Sequence, residues 1–257
     1  MFRTRRQLWP VTAVVLTLAL LGCGGGPQDD PMAAEWDALQ AAKTALDAKR
    51  QELATLVAEA AAPVDPEAEG EPVDHSAHIE ALGAEITGMA DSFMTQVVTF
   101  LNNDPIIAEE GPTERQLAAI RLKSGEDMLV AQEWISAGGD YSRAIQIYES
   151  TLNLDPDNEA LKAAMAEAQE MRFMSAERFA TAKKGMTEEA VRAALGTPLH
   201  YNVKTYPEKG GVSAWFYQTD EAGSAAAVWF RPDKEGVLVA YLAKYDSVVK
   251  GEPEETE

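Results

Sequence analysis

Residues 184–198 read Lys184-Gly185-Met186-Thr187-Glu188-Glu189-Ala190-Val191-Arg192-Ala193-Ala194-Leu195-Gly196-Thr197-Pro198, and this stretch decides the fold class. It spells one short, capped helix. Thr187 carries the hydroxyl that an N-cap needs, and Glu188 and Glu189 fall where the positive end of a helix favours carboxylates. Gly196 before Thr197-Pro198 stops the helix. Val191 and Leu195 put one apolar edge toward a core.

Four runs of a different character follow, over 199–206, 212–219, 225–231 and 237–245. They are rich in Val, Tyr, Trp, Phe and Ala. The breaks between them, Pro207-Glu208-Lys209-Gly210-Gly211, 220–224 and 232–236, have hairpin lengths and hairpin residues. An antiparallel sheet with the helix on one face is predicted. Trp215 and Tyr217 share one face of their strand and Phe216 takes the other; Trp229 and Phe230 also fall on opposite faces. One aromatic face covers the core. The other must meet the upstream helices or a partner, which makes Trp215, Tyr217 and Trp229 candidate partner-binding residues.

The chain before this module reads as helical, so the class is α+β with a mainly helical N-terminal arm. Residues 33–61 are rich in Ala, Leu, Glu, Lys and Gln and contain no Pro or Gly. Leu39, Leu46 and Leu53 recur every seven residues, with Trp36, Ala42 and Leu56 on the same side. Residues 63–74 hold three prolines and five acids and make an exposed connector. A second helix is predicted from about His75 to Asn102, with a seam of Ile79, Leu82, Ile86, Met89, Phe93, Val97 and Phe100. The two helices over 33–103 form an antiparallel hairpin, and its uneven seams call for a third partner, a later helix or another chain. His75 and His78 could share a helix face and hold a metal. Without a nearby Cys, solvated histidines at a helix start are the stronger reading.

Thr113 and Gln116 have capping-box spacing and open the next helical region, 113–182. Within it come Gly139-Asp140-Tyr141-Ser142-Arg143-Ala144-Ile145, then Tyr148, Leu152, Leu154, Asp155, Pro156, Asp157 and Asn158. These resemble the second half of a tetratricopeptide repeat. Gly139 and Asp140 make the turn, Ala144 allows close helix crossing, Tyr148 fills the groove between repeats and Pro156 ends the helix. A full repeat starts at Gly125, where Met128, Ala131, Gln132 and Ile135 match the family less well. A further helix begins near Glu159. The resemblance implies a concave face carrying Glu126, Leu129, Glu133 and Ser136, and makes Tyr148 a candidate partner-binding residue.

The helix motif of 184–198, the Trp215-Phe216-Tyr217 run and the aromatic strand around Trp229 together resemble the SmpA/OmlA (BamE-like) domain, here 183–249. That resemblance implies a non-catalytic role, because family members are outer-membrane lipoproteins that support the insertion of barrel proteins or otherwise bind proteins. The long helical arm departs from the classical member, which is little more than the module. Residues 250–257 form an acidic tail.

The N-terminus fits an envelope address. Residues 1–22 combine a basic start (Arg3, Arg5, Arg6) with an apolar run over 11–21, too short to span a bilayer. Leu20-Leu21-Gly22-Cys23 resembles the bacterial lipobox, which implies cleavage before Cys23 and a diacylglyceryl group on it. Cys23 is the only cysteine of the 257 residues, so no internal disulfide can form. Gly24 is compatible with the outer membrane, and 23–32 reads as a tether. The expected location is the outer membrane, facing the periplasm, with the inner membrane the weaker alternative.

The formal net charge is −20, and residues 1–22 contribute three arginines and no acid, so the remainder is more acidic still. Such a chain is repelled by phosphate backbones and anionic headgroups, which argues against nucleic acid and leaves membrane contact to the anchor. No nucleophile elbow, phosphate loop or Cys/His set is legible, so no catalytic residue, cofactor or metal is assigned. The expected function is an envelope scaffold or assembly factor whose partners are envelope proteins, with barrel-assembly components as candidates. The alternative is an inhibitor-like or ligand-binding lipoprotein that uses the C-terminal sheet face.

Overall fold

The computed structural model describes residues 30, 32–62, 74–107 and 109–250. The expected export signal, Cys23, most of the expected tether, the connector residues 63–73 and residues 251–257 lie outside the described residues. The fold is α+β: a helical N-terminal part is followed by a four-stranded antiparallel sheet in the simple order β1-β2-β3-β4.

Helix α1 (Ala33–Ala61) and helix α2 (Ser76–Asn103) pack as the expected hairpin, and helix α3 (Glu114–Gly138) is the third partner. Their shared core holds Leu39, Leu46, Phe93, Val97, Phe100 and Ala119, and the Trp36 ring meets Phe100 at 5.5 Å. The seam departs from a strict heptad: Leu56 is buried, while Leu53 is half-buried. The α3 start is fixed by a capping box, in which the Thr113 hydroxyl accepts from the Gln116 amide and the Gln116 side chain accepts from Thr113 N–H. The side-chain Nε2 of Gln116 donates to the Asp104 carbonyl at 3.0 Å, tying the end of α2 to the start of α3.

Glu126 was expected on an open concave face, and the structure corrects this. Its carboxylate is buried and takes two hydrogen bonds from Arg50 of α1, at 2.8 and 2.6 Å, with Lys43 3.8 Å away. The pair has the fork geometry that arginine gives to carboxylates. Leu129, Glu133 and Ser136 of the same helix remain exposed. Helix α3 runs through Gly125 without a break, so no helix end marks the expected start of a repeat there.

Helix α4 (Tyr141–Leu152) and helix α5 (Glu159–Met171) continue the array. Asp140 caps α4 through Arg143 N–H, and Asn158 caps α5 through Leu161 N–H. Ala131, Ala144, Ile145, Tyr148, Leu161 and Ala168 form their core. The small alanines let α3, α4 and α5 cross closely around Tyr148. Helix α3 therefore serves two cores, the first through Ala119 and the second through Ala131.

The module core differs from the expected boundary at residue 183. Met174, Phe179 and Ala182, carried by the turn α6 (Ala176–Phe179) and its flanks, belong to it. They pack with Val191 and Leu195 of helix α7 (Glu188–Leu195) and with Trp215, Tyr217, Val228 and Phe230 of the sheet. Met174 N–H donates to the Gln218 carbonyl at 2.8 Å, and the Tyr245 hydroxyl donates to the Met174 carbonyl at 2.9 Å. The first strand-like run begins with a 3-10 turn at His200–Asn202, and β1 is confined to Val203–Tyr206. Strand β2 is Val212–Gln218, β3 is Ala225–Pro232 and β4 is Leu238–Val248. The register between β3 and β4 slips twice, between Ala225 and Ala227 and between Trp229 and Phe230.

The arm meets the module around the end of α3. Gly139 ends α3 in the left-handed conformation, φ 63°, and its α-carbon faces the backbone of Thr197, Pro198 and Leu199. A Cβ there would lie 2.3 Å from the Thr197 carbonyl oxygen. The Thr197 hydroxyl donates to the Ser136 carbonyl at 2.7 Å across the same junction. Gly139→Ala therefore meets both an unfavourable φ and a backbone clash. The expected loss is about 2–4 kcal/mol, read as a lower urea midpoint, and the arm and module should then unfold in two steps where the parent unfolds in one.

Candidate functional site

The four aromatic residues singled out from the sequence do not form one surface. Tyr148 is 1% exposed and Trp215 3%, both in packed cores, and Tyr217 is buried beside Trp215. These three are corrected from contact residues to core residues. Trp229 alone is half-buried on the sheet face opposite α7. Strand alternation made the two faces legible but not which one α7 would cover. The covered face is the one whose Trp215, Tyr217, Val228 and Phe230 share a core with Val191 and Leu195 of α7.

On the covered face, Trp215 packs against Phe230 at 4.8 Å and the Arg192 guanidinium lies over its ring at 5.2 Å. The Tyr217 hydroxyl donates to the Gly196 carbonyl at 3.2 Å, holding the end of α7. Burial pushes the Tyr217 phenol well above the ordinary tyrosine range, with Arg192 and Arg178 pulling weakly the other way. Tyr141 and Tyr148 shift upward for the same reason.

The open face is built from cross-strand rows. Lys204, Ala214, Trp229 and Leu242 form one row, and Phe216, Ala227 and Lys244 form the next. Phe216 and Trp229 meet edge to face at 6.1 Å, and Lys204 lies over the Phe216 ring at 5.5 Å. The register slip beside Trp229 adds Tyr241 to this side, with the Arg231 guanidinium 5.4 Å from its ring. Lys209 covers Tyr206 at 4.8 Å. Leu242 is 46% exposed. No helix core includes Phe216 or Trp229.

A second exposed apolar area lies on α3 near the junction, where Val130 and Trp134 border a groove with Ala137 and His200, next to the exposed Tyr201. A polar crevice fills the junction itself, lined by Tyr141, Arg172, Arg178, Asn202, Phe216 and Tyr217. The Arg178 guanidinium donates to the Met171 carbonyl and to the sulfurs of Met171 and Met174. His75 occupies the N-cap position of α2, and His78 is exposed on its first turn. Among the described residues, no three His, Cys, Asp or Glu side chains are arranged to hold a metal ion. Also among the described residues, no helix is long and apolar enough to cross a membrane.

The two tryptophans should separate by measurement. Trp215→Ala empties a packed core and should cost about 3–5 kcal/mol. Trp229→Ala removes a half-buried ring and should cost about 1 kcal/mol; chemical denaturation of both variants checks the contrast. Tyr217 gives a pH signature. Its neutral form is favoured in the fold, so its contribution is full below the unfolded-state value near about pH 10 and is lost as pH rises above it. Tyr217→Phe should lower stability at neutral pH by about 1 kcal/mol and flatten the alkaline decline in denaturation midpoint.

No protein-family model, curated protein or solved structure matches this chain.

Proposed function

We propose that this chain is a non-catalytic envelope lipoprotein that acts as a scaffold or assembly factor by binding other proteins. Cys23 carries the lipid, and the body faces the periplasm from the outer membrane. The resemblance of 184–198 and the following strands to the BamE-like module supports this reading, as does the lipobox at Leu20-Leu21-Gly22-Cys23. The observation that carries it is the coupling of the helical arm to the module through Gly139, with one aromatic sheet face left uncovered. That combination suits a body that holds partners in a fixed relation. An inhibitor-like role using the open sheet face alone is the second reading, favoured by the exposure of Leu242 beside Trp229.

Crosslinking in native membranes, affinity recovery of the lipidated protein and mass spectrometry test the proposal. Enrichment of barrel-assembly proteins, lost when residues 172–250 are deleted, supports the scaffold role. A single soluble enzyme recovered in equal amount supports the inhibitor role. Cys23→Ser should abolish incorporation of radiolabelled palmitate and release the protein from the membrane fraction. Retained labelling in that variant overturns the anchor assignment.

A further inference from the structure

The open sheet face is unlike the rest of this chain in charge. The chain carries 42 acidic and 22 basic residues, yet the four strands contain three basic residues, Lys204, Arg231 and Lys244, and one acid. That acid, Asp246, lies beyond Lys244 toward the end of β4. All three basic residues lie on the same side as Phe216 and Trp229, and Lys209 joins them from the β1–β2 turn. None of the four makes an ion pair within 4.0 Å with another described residue. Elsewhere several cations are engaged, Arg50 with Glu126, Lys49 with Glu85, Lys123 with Asp127 and Lys162 with Glu159, while others, among them Arg121, Arg143 and Lys234, are also in no ion pair with a described residue.

We infer that this face is a docking surface for an acidic, partly apolar peptide segment of a partner protein. The inference rests on the scaffold reading and deepens it by naming the partner's chemistry. Three of the four cations lean across aromatic rings, at 5.5 Å for Lys204, 4.8 Å for Lys209 and 5.4 Å for Arg231. A cation held over a ring keeps hydrogen-bond donors turned to the outside, and carboxylates fill them without displacing the ring contact. Between the cations, Trp229 and Leu242 offer apolar area to the segment's non-polar side chains. An acidic segment is selected over an anionic membrane by the field of the whole molecule. A membrane meets the repulsion of a body more acidic than the −20 of the whole chain, once residues 1–22 with their three arginines are removed, whereas a short segment meets mainly the local basic face.

The test uses the intact protein and two labelled peptides, one alternating Glu and Leu, the other with Gln in place of Glu. Fluorescence anisotropy should show saturable binding of the Glu peptide that weakens as salt rises, and at least about tenfold weaker binding of the Gln peptide. The triple variant Lys204→Glu, Arg231→Glu, Lys244→Glu should lose binding of the Glu peptide by about tenfold or more, with its circular dichroism melt unchanged. Trp229→Ala should weaken binding at unchanged salt dependence. Equal binding of both peptides, binding untouched by the triple variant, or no saturation at millimolar peptide each overturns the inference. So does sedimentation with phosphatidylglycerol vesicles, absent with phosphatidylcholine alone, by protein that ignores the Glu peptide. Recovery of partners by the triple variant in the membrane pull-down would retain the scaffold role and reject this face as its basis.

Discussion

The contact of Gly139 with the Thr197–Leu199 backbone is the constraint on which the rest of the architecture depends. It is the place where the helical array touches the chain entering the sheet with no side chain between them. Glycine satisfies two demands at once there: a left-handed φ that closes α3, and an approach too near for a Cβ. Around it the contacts are polar and directional. The Thr197 hydroxyl reaches the Ser136 carbonyl, the Tyr217 hydroxyl reaches the Gly196 carbonyl, and Tyr141 lies against Gly196. Such a joint fixes orientation through directional contacts and a close backbone fit.

Charge is handled in three separate ways. Most acids lie on exposed helix faces, where solvent screens them and they help to keep an acidic molecule soluble. Glu126 and Asp155 are buried: Asp155 accepts from the Asn158 side chain, and Glu126 is bound by the Arg50 fork, so removing Arg50 would strand a carboxylate in the helical core. The sheet is the third case. Its strands hold a single acid, Asp246, and two of their three cations, Lys204 and Arg231, lie over aromatic rings. A net charge taken over the chain hides this segregation.

Much of the fold was legible from residue pattern because local and tertiary preferences agree. The composition of 33–61 predicts a helix that spans Ala33–Ala61; the capping signals at Thr113 and Thr187 make the hydrogen bonds their spacing predicts. The four strands and their turns were legible from alternation and from Gly and Pro. What local pattern could not carry was partnership between distant elements. Glu126 looks like any surface glutamate of a helix until Arg50, on another helix, is placed beside it. Met174 and Phe179 look like the tail of the helical region, and only the sheet gives them a core. Trp215, Tyr217 and Trp229 look alike in sequence; which face the helix covers separates them. The uncovered face was anticipated as an aromatic face, but its basic character emerged only when the register aligned Lys204, Arg231 and Lys244.

The double membership of α3 sets a rule of phase. Ala119 faces one core and Ala131 the other, and at about 100° per residue these positions point about 120° apart around the helix axis. Removing one residue between them would turn one core against the other by about 100° and draw the two about 1.5 Å closer. Loops absorb such changes in length, but a helix that serves two cores cannot. The segment from Ala119 to Ala131 is thus fixed in residue number even where its exposed side chains are free to vary, and the count of residues there is itself part of the structure.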